Sequence, residues 1–423
     1  MTIVTKPDYD PIPLSSLAFW AQTAEEREPS FRELRRERPV SWHPPFEGAL
    51  MPDLDPDGGY WAVVRHADVV AMSRNPELFC SSRGVMFEDI PQFVADAAQS
   101  FLSTDAPRHT KLRRLVSTAF TPRQVARIEA QIVHQATTIV DDLLAGPAEF
   151  DFVHAVSNRL PMWTVSDMMG VPLDDRQQVV TAADSLVSWN DPDVQAGRDP
   201  LQVMTDALIA LHGHARALAE ARRADPADDV MTALVQADVD GDRLSDDEIC
   251  AFFVLLSVAG NDTTRNTISH GMKALCDNPD QRALLTEHFD ALIGTAVEEL
   301  VRWATPVMTF RRTATADTEI GGQPISEGDK VVMFYSAANR DETAFPDADR
   351  FDVSRHPNEH VGFGGGGPHF CMGASLARRQ LRAIFGELLH RVPDLELGRP
   401  ELLVGNFIHG ATRMPGRYTL LRK

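Results

Sequence analysis

A chain of 423 residues that is 43% hydrophobic can bury a large core, and its length alone would allow two or three domains; no linker or repeat divides it, so residues 1–423 read as one domain. The net charge of −20 argues against nonspecific nucleic-acid binding, and four cysteines without CxxC spacing argue against a disulfide framework or a zinc site. The first fifteen residues, read as an extended segment, lack an apolar signal core, and the longest apolar run, 250–260, falls short of the ~18 residues a membrane span needs. A soluble, cytoplasmic protein is therefore expected.

Residues 25–38 predict a polar surface helix, 60–65 a short strand and 67–74 a second helix. The stretch 82–103 has no clear period yet carries Met86, Phe87, Ile90 and Phe93, which suits either a misread element or a functional loop facing a ligand. Beyond Asp105 a helix opens in which His109 and Arg113 lie four residues apart, on one face; such donors can hold a carboxylate or form an ordinary surface pair. Helices follow over 121–144, 154–169, 173–189 and 201–224, with the turn-rich break 189–194, beginning at Trp189, as a candidate lid.

The longest helical segment runs over 245–276. Ser245 and Glu248 fit a capping box, Asn278-Pro279 supply the stop, and the helix would span about 45 Å. Its first half is apolar on every side, including Val254 and Val258, so it should pass through the core. Ala259-Gly260-Asn261-Asp262-Thr263-Thr264-Arg265 interrupts that apolar run. A buried aspartate and threonine there are costly unless hydrogen-bonded or functional. Thr263 could simply bond back to its preceding turn, or the helix could open at Gly260 to admit a small ligand.

Glu299 and Arg302 lie at i,i+3 on a helix over 291–303, by itself a weak signal. Short strands are expected at 308–313, 319–320 and 330–337, then a polar meander over 339–360, and strands at 402–410 and 417–421 forming a small hairpin. The meander delivers the chain to four consecutive glycines, Gly364 to Gly367, followed by His369 and Cys371 just before the last long helix. Such a run suits a sharply bent backbone or a close approach, here expected to be to something other than protein. A helix N-terminus favours a thiolate, so Cys371 reads as nucleophile or metal ligand, against the bland alternative of a buried structural cysteine. Two basic clusters, Lys111, Arg113, Arg114, Arg123 and Arg127, and Arg378, Arg379 and Arg382, are solvated faces or a docking site for an acidic partner.

The order of these pieces is more specific than any one of them: AGNDTTRNTISHG at 259–271, VEELVRWATPV at 297–307, SAANRDE at 336–342, GFGGGGPHFCMGASLARR at 362–379 and NFIHG at 406–410. Together they resemble the cytochrome P450 family over the chain from about residue 15 onward, and in detail its soluble bacterial subgroup that hydroxylates terminal methyl groups of methyl-branched lipids and sterol side chains. The resemblance implies a mainly α fold with small β-sheets (α+β), a long central helix over haem b, and a monooxygenase that inserts one atom of O2 into a C–H bond. Cys371 would be the thiolate ligand of the iron. His109, Arg113, His369 and Arg312, with Arg311 as the alternative to Arg312, would bind the propionates, and Phe363 and Gly373 would shape the cysteine loop. Asp262 and Thr263 would deliver protons, Ala259 and Gly260 would leave room for oxygen, and Glu299, Arg302 and Arg355 would form a structural trio. An apolar substrate would meet Met86, Phe87, Ile90, Phe93, Trp189, Val254, Val258, Val307, Met308, Phe407 and Ile408.

No flavin or iron–sulfur domain is visible, so electrons would come from NAD(P)H through a ferredoxin reductase and a ferredoxin. Two positions depart from the usual family pattern: Phe363 stands eight residues before Cys371 rather than seven, as in the methyl-branched-lipid subgroup, and Met372 replaces a frequent leucine. A cysteine hydrolase using His369 is disfavoured by the short loop between base and nucleophile. A haem sensor is disfavoured by the acid–alcohol pair, and a P450 acting on another hydrophobic molecule remains the alternative.

Overall fold

The helix Asp246–Asp277 threads the molecule, and most other elements are placed by packing on it. Ser245 and Glu248 cap it reciprocally, at 3.2 and 2.8 Å, and the acidic first turn of Asp246, Asp247 and Glu248 complements the helix dipole. Ile249 to Val254 are all buried, so the expected all-round apolar half does run through the core. No break occurs at Gly260: the helix is continuous through 259–265, and the local opening expected there is absent. The computed structural model describes residues 6–47, 58–98, 100–117, 122–189, 192–239 and 241–419; residues 121, 190, 191, 420 and 421 of the elements anticipated above, and the Arg123 side chain, lie outside the described residues.

Helices Pro200–Ala224, Arg159–Met169, Arg176–Val187, Phe289–Ala304 and Ala374–Arg391 pack around the central helix, and Pro122–Ala145 lies against Ala374–Arg391. To one side stands a sheet of five described strands in the order Val40–His43, Tyr60–Val63, Lys330–Phe334, Thr309–Ala314, Phe79–Cys80. All neighbours are antiparallel except Tyr60–Val63 against Lys330–Phe334. The expected mainly α architecture with small sheets is therefore present. Helix Ala24–Glu37 is not the polar surface helix expected, because it buries Phe31 and Leu34 together with Arg27, Glu28 and Arg35. Short range charge pairing made that possible: Arg35 meets Glu28 within the same helix. Nor do the C-terminal strands form one hairpin. Glu401–Leu402 pairs with Ala411–Arg413, whereas Pro415–Arg417 pairs with Glu149–Asp151 and Glu396–Leu397.

The irregular stretch contains helix Gln92–Ala98 and a short 3-10 turn, Ser100–Ser103, after a part over 82–91 made of turns and bends. The polar meander over 339–360 has no strand and only the short helical turn Tyr335–Ala338 before it.

Part of the glycine run is explained by contacts within the protein itself. Gly364, Gly366 and Gly367 have φ of +95°, +90° and +73°, and Gly367 lies so close to the end of helix His66–Ser73 that an added Cβ would stand 2.1 Å from the Ser73 carbonyl oxygen. The close approach is thus backbone to backbone within the protein. Gly367→Ala should lower stability by roughly 2–4 kcal/mol in thermal unfolding of the haem-loaded protein. Gly213→Ala, on a helix with open space around it, should raise stability slightly, by about 0.5–1 kcal/mol.

Candidate haem-thiolate site

Cys371 is positioned from both sides. Its N–H donates to the Phe363 carbonyl at 2.9 Å, and helix Ala374–Arg391 begins just beyond, with Gly373 as its N-cap. The side chain is open on one side. Burial on the others pushes the thiol above its ordinary range; the N–H groups of Gly373 and Ala374 and the charges of Arg113 and Arg378 pull it down without prevailing. Phe363, below the loop, carries the Arg378 guanidinium 4.5 Å from its ring centroid, and Arg378 is fixed in turn by Glu298 at 2.6 Å.

Beside the loop, the His109 and His369 rings lie 4.2 Å apart. Phe101 connects them to the central helix, 6.0 Å from His109 and 6.2 Å from Phe252. His109 Nε2 and His369 Nδ1 are buried and have no partner among the described residues. Arg312 is also buried, donates to the Arg311 carbonyl at 2.7 Å and pairs with no carboxylate among the described residues. Burial, then the nearby Arg312, lowers the His369 pKa to about 3, and burial and neighbouring Arg113 lower that of His109. Two buried imidazole nitrogens without partners and a buried guanidinium, with the Asp105 carboxylate acting on all three only from beyond ion-pairing distance, are costly by themselves and form a cradle that carboxylates fit.

The ambiguity between adjacent arginines has a structural answer: Arg311 is bound to Asp89 at 2.6 Å and to the Arg83 carbonyl, so Arg312 alone faces the two histidines. Arg113 has a task the sequence did not suggest, donating to the carbonyls of Pro368 at 2.8 Å and Phe370 at 2.6 Å.

On the central helix, Ala259 is exposed amid covered residues, and Thr263, one turn on, donates its hydroxyl to the Ala259 carbonyl at 2.8 Å. Gly260 points elsewhere: an added Cβ would meet Val165 of helix Arg159–Met169 at 2.6 Å, so this glycine permits helix packing rather than opening space beside Ala259. Asp262 is 1% exposed, 2.5 Å from Arg265, which also reaches Asp184 at 3.2 Å. Burial pushes the Asp262 carboxyl up to about 7 against the pull of Arg265, with Asp184 adding to the rise. Arg265 stood in the motif at i,i+3 from Asp262 and could have been read as its partner; Asp184, on a separate helix, left no local signal.

Glu299 is fully buried and receives Arg302 twice at 2.7 Å, Arg355 at 3.1 Å, Asn358 at 3.1 Å and the Asp352 N–H at 2.9 Å.

The sequence profile of the cytochrome P450 family matches residues 81–393. The chain belongs to the cytochrome P450 family. It is 43% identical over 408 residues to a methyl-branched lipid omega-hydroxylase of Mycobacterium tuberculosis, covering 96% of this chain and 94% of the relative. A steroid C26-monooxygenase of Mycolicibacterium smegmatis is 41% identical, covering 92% and 89%. Among solved structures, a Mycobacterium marinum P450 in complex with pseudoionone superposes with a TM-score of 0.94 at 59% identity, covering 98% of this chain and all of that one. This P450 is thus a monooxygenase for hydrophobic substrates, using haem iron, O2 and a reductant. No helix among the described residues is long and apolar enough to cross a membrane.

Several residues expected at the substrate are placed otherwise. Phe93 is 54% exposed on helix Gln92–Ala98. Phe87 packs on Tyr60, Phe46 and Phe334, and Met308 shares that cluster, so both are core of the sheet region. Val254, Trp189 and Ile408 are likewise covered. Met86, Ile90, Val258, Val307 and Phe407 remain half-buried and available to a ligand.

The raised Asp262 value has a measurable consequence. Between about pH 4 and 7 the folded protein binds more protons at this group than the unfolded chain, so its contribution to stability falls as pH rises through that window. Asp262→Asn should flatten this slope, and urea unfolding of the haem-loaded pair should show the variant gaining on the wild type, by about 1–4 kcal/mol, from pH 4 to pH 8.

Proposed function

We propose that this P450 hydroxylates a terminal C–H bond of a methyl-branched lipid, isoprenoid or sterol side chain, with Cys371 as thiolate ligand of haem b. The observation that carries the haem assignment is the cradle of His109, His369 and Arg312 beside Cys371, with two buried imidazole nitrogens unpartnered and Arg312 paired to no carboxylate among the described residues. Those three would hold the propionates, Arg113 would brace the loop from outside, and Phe363 and Gly373 would set the cysteine's surroundings. The bound haem supplies the activation of dioxygen and the oxidation of a C–H bond.

Every other step belongs to side chains of this chain. Asp262, with a pKa of about 7, can both receive and release a proton at neutral pH. Arg265 and Asp184 lead from it toward solvent, their side chains 13% and 32% exposed. Thr263 stands one position on, its hydroxyl proton committed to the Ala259 carbonyl and its oxygen able to accept. Glu299, Arg302 and Arg355 stay out of the chemistry and hold the meander. The substrate class follows from the two curated relatives and from the half-buried apolar side chains Met86, Ile90, Val258, Val307 and Phe407.

Electrons reach the haem from NAD(P)H through ferredoxin reductase and ferredoxin, in the cytoplasm, in one catalytic domain spanning the chain. The basic cluster after Cys371 is less free than the sequence suggested, because Arg378, Arg379 and Arg382 each meet an acidic side chain, Glu298, Glu129 and Asp290. Steering by an acidic ferredoxin would have to compete with those pairs.

The reduced protein under carbon monoxide should give the thiolate-type Soret band, and Cys371→Ser should abolish it. Arg312→Gln should fold yet retain several-fold less haem after gel filtration. A branched fatty acid or isoprenoid should shift the ferric protein from low to high spin and yield a terminally hydroxylated product by mass spectrometry. A normal band with no shift by any of them would reject the substrate class and leave the monooxygenase.

A further inference from the structure

Three chain segments converge where the substrate residues are half-buried. The Arg311 N–H donates to the Val85 carbonyl and the Met308 N–H to the Phe407 carbonyl, each at 2.8 Å, and the Thr309 hydroxyl reaches the Asn406 carbonyl at 2.9 Å. At this junction Glu88 is 8% exposed and Asn406 2%. Asn406 donates its amide to Glu88 Oε1 at 2.6 Å, and its Oδ1 is buried with no partner among the described residues. The mechanism above uses neither residue, and the sequence reading singled out only their apolar neighbours.

We propose that Glu88 and Asn406 form a polar anchor for one neutral oxygen of an otherwise apolar substrate, a ketone, ester or alcohol in preference to a free carboxylate. The inference deepens the lipid reading given above and rests on it. The neighbours of the pair in sequence and across the junction, Met86, Ile90, Val307 and Phe407, are half-buried apolar residues, so the pair lies among apolar side chains that are not fully covered. The Glu88 carboxyl, which already accepts from the Asn406 amide, can donate an O–H in its protonated form, the form that burial favours, while Asn406 offers an unused acceptor. A ketone or ester oxygen accepts from the first, and an alcohol can also donate to the second. The cations nearest in sequence and strand register are already engaged: Arg311 and Lys330 both bind Asp89. A carboxylate would instead add charge beside an acid that burial already disfavours ionising.

A site with buried polar groups discriminates sharply against an analogue that leaves them unpaired, whereas an apolar wall does not. The test is spin-state titration of the haem-loaded enzyme with three ligands of one branched isoprenoid skeleton: methyl ketone, hydrocarbon and carboxylate. Wild type should bind the ketone about tenfold more tightly than the hydrocarbon and more tightly than the carboxylate. In Glu88→Leu the ketone and hydrocarbon should come within about twofold, while Glu88→Gln, which keeps an N–H donor, should retain most of the preference. Ligand-induced shifts in thermal unfolding give the same comparison without relying on the spectrum. If Glu88→Leu does not hold haem, Glu88→Met, which keeps the unbranched shape of the side chain and removes its O–H, should show the same loss.

Equal binding of ketone and hydrocarbon by the wild type, or an undiminished preference in folded Glu88→Leu, would overturn the anchor and leave the lipid reading intact. Failure of all three ligands to bind, with a normal carbon monoxide band, would overturn both.

Discussion

The buried charge cluster at Glu299 is the constraint on which the cysteine loop depends. Residues 339–360 have no ladder or helix of their own to fix them, and their backbone polar groups need partners all the same. Arg302, fully buried, supplies two of them by donating to the carbonyls of Asn339 at 2.8 Å and Ala348 at 3.0 Å, while Glu299 accepts from Asp352, Arg355 and Asn358. Asn339 then accepts the Val361 N–H at 2.8 Å, the first residue of the stretch that carries the glycines and Cys371. Isolated ion pairs at i,i+3 contribute little at a surface, but this one is desolvated with nearly every donor and acceptor filled. Removing one member leaves a buried charge uncompensated, at a cost of roughly 3–5 kcal/mol. The meander is therefore pinned from one helix, and the cysteine is placed by that pin.

The central helix answers a second demand, to be core on most faces and reactive on one. Several of its polar side chains bond back within the helix itself: Thr263 to Ala259, Asn266 to Asp262 and Thr267 to Thr263, at 2.8 to 2.9 Å. Such back-bonding lets hydroxyls and amides occupy a buried helix without breaking it. Asp262 is not served in this way, because a helix carbonyl cannot serve a carboxylate. Its cationic partner among the described residues is the flanking Arg265, whose pull does not offset burial and the nearby Asp184, and a carboxyl poised near neutrality results.

Much of this was legible in the sequence because the signals were local. The capping box at Ser245, the apolar first half of the long helix and the Pro279 stop all depend on neighbours within a few residues, and the helix follows them. Motif order carried the family and placed Cys371, His109 and His369 together. Contacts between distant segments were not legible. Nothing near Gly367 announces that Ser73 will touch it, and nothing near Asp262 announces Asp184. The apolar residues of 82–103 show the limit most clearly: Phe87, Ile90 and Phe93 look alike in sequence but lie in the sheet-side core, at a half-buried junction and in solvent. With no period along that stretch, hydrophobicity alone does not tell which way a side chain points.

The same distinction separates haem chemistry from substrate choice. Groups that hold a cofactor common to a family sit in short motifs whose spacing is set by that cofactor, so one chain suffices to find them. The groups proposed above to choose the substrate come from segments that meet only in the fold, 85–90, 307–311 and 406–409. Each contributes ordinary residues in sequence terms. Selectivity arises where their polar groups are left facing one another within apolar surroundings, because only there does an unpaired hydrogen bond cost enough to discriminate.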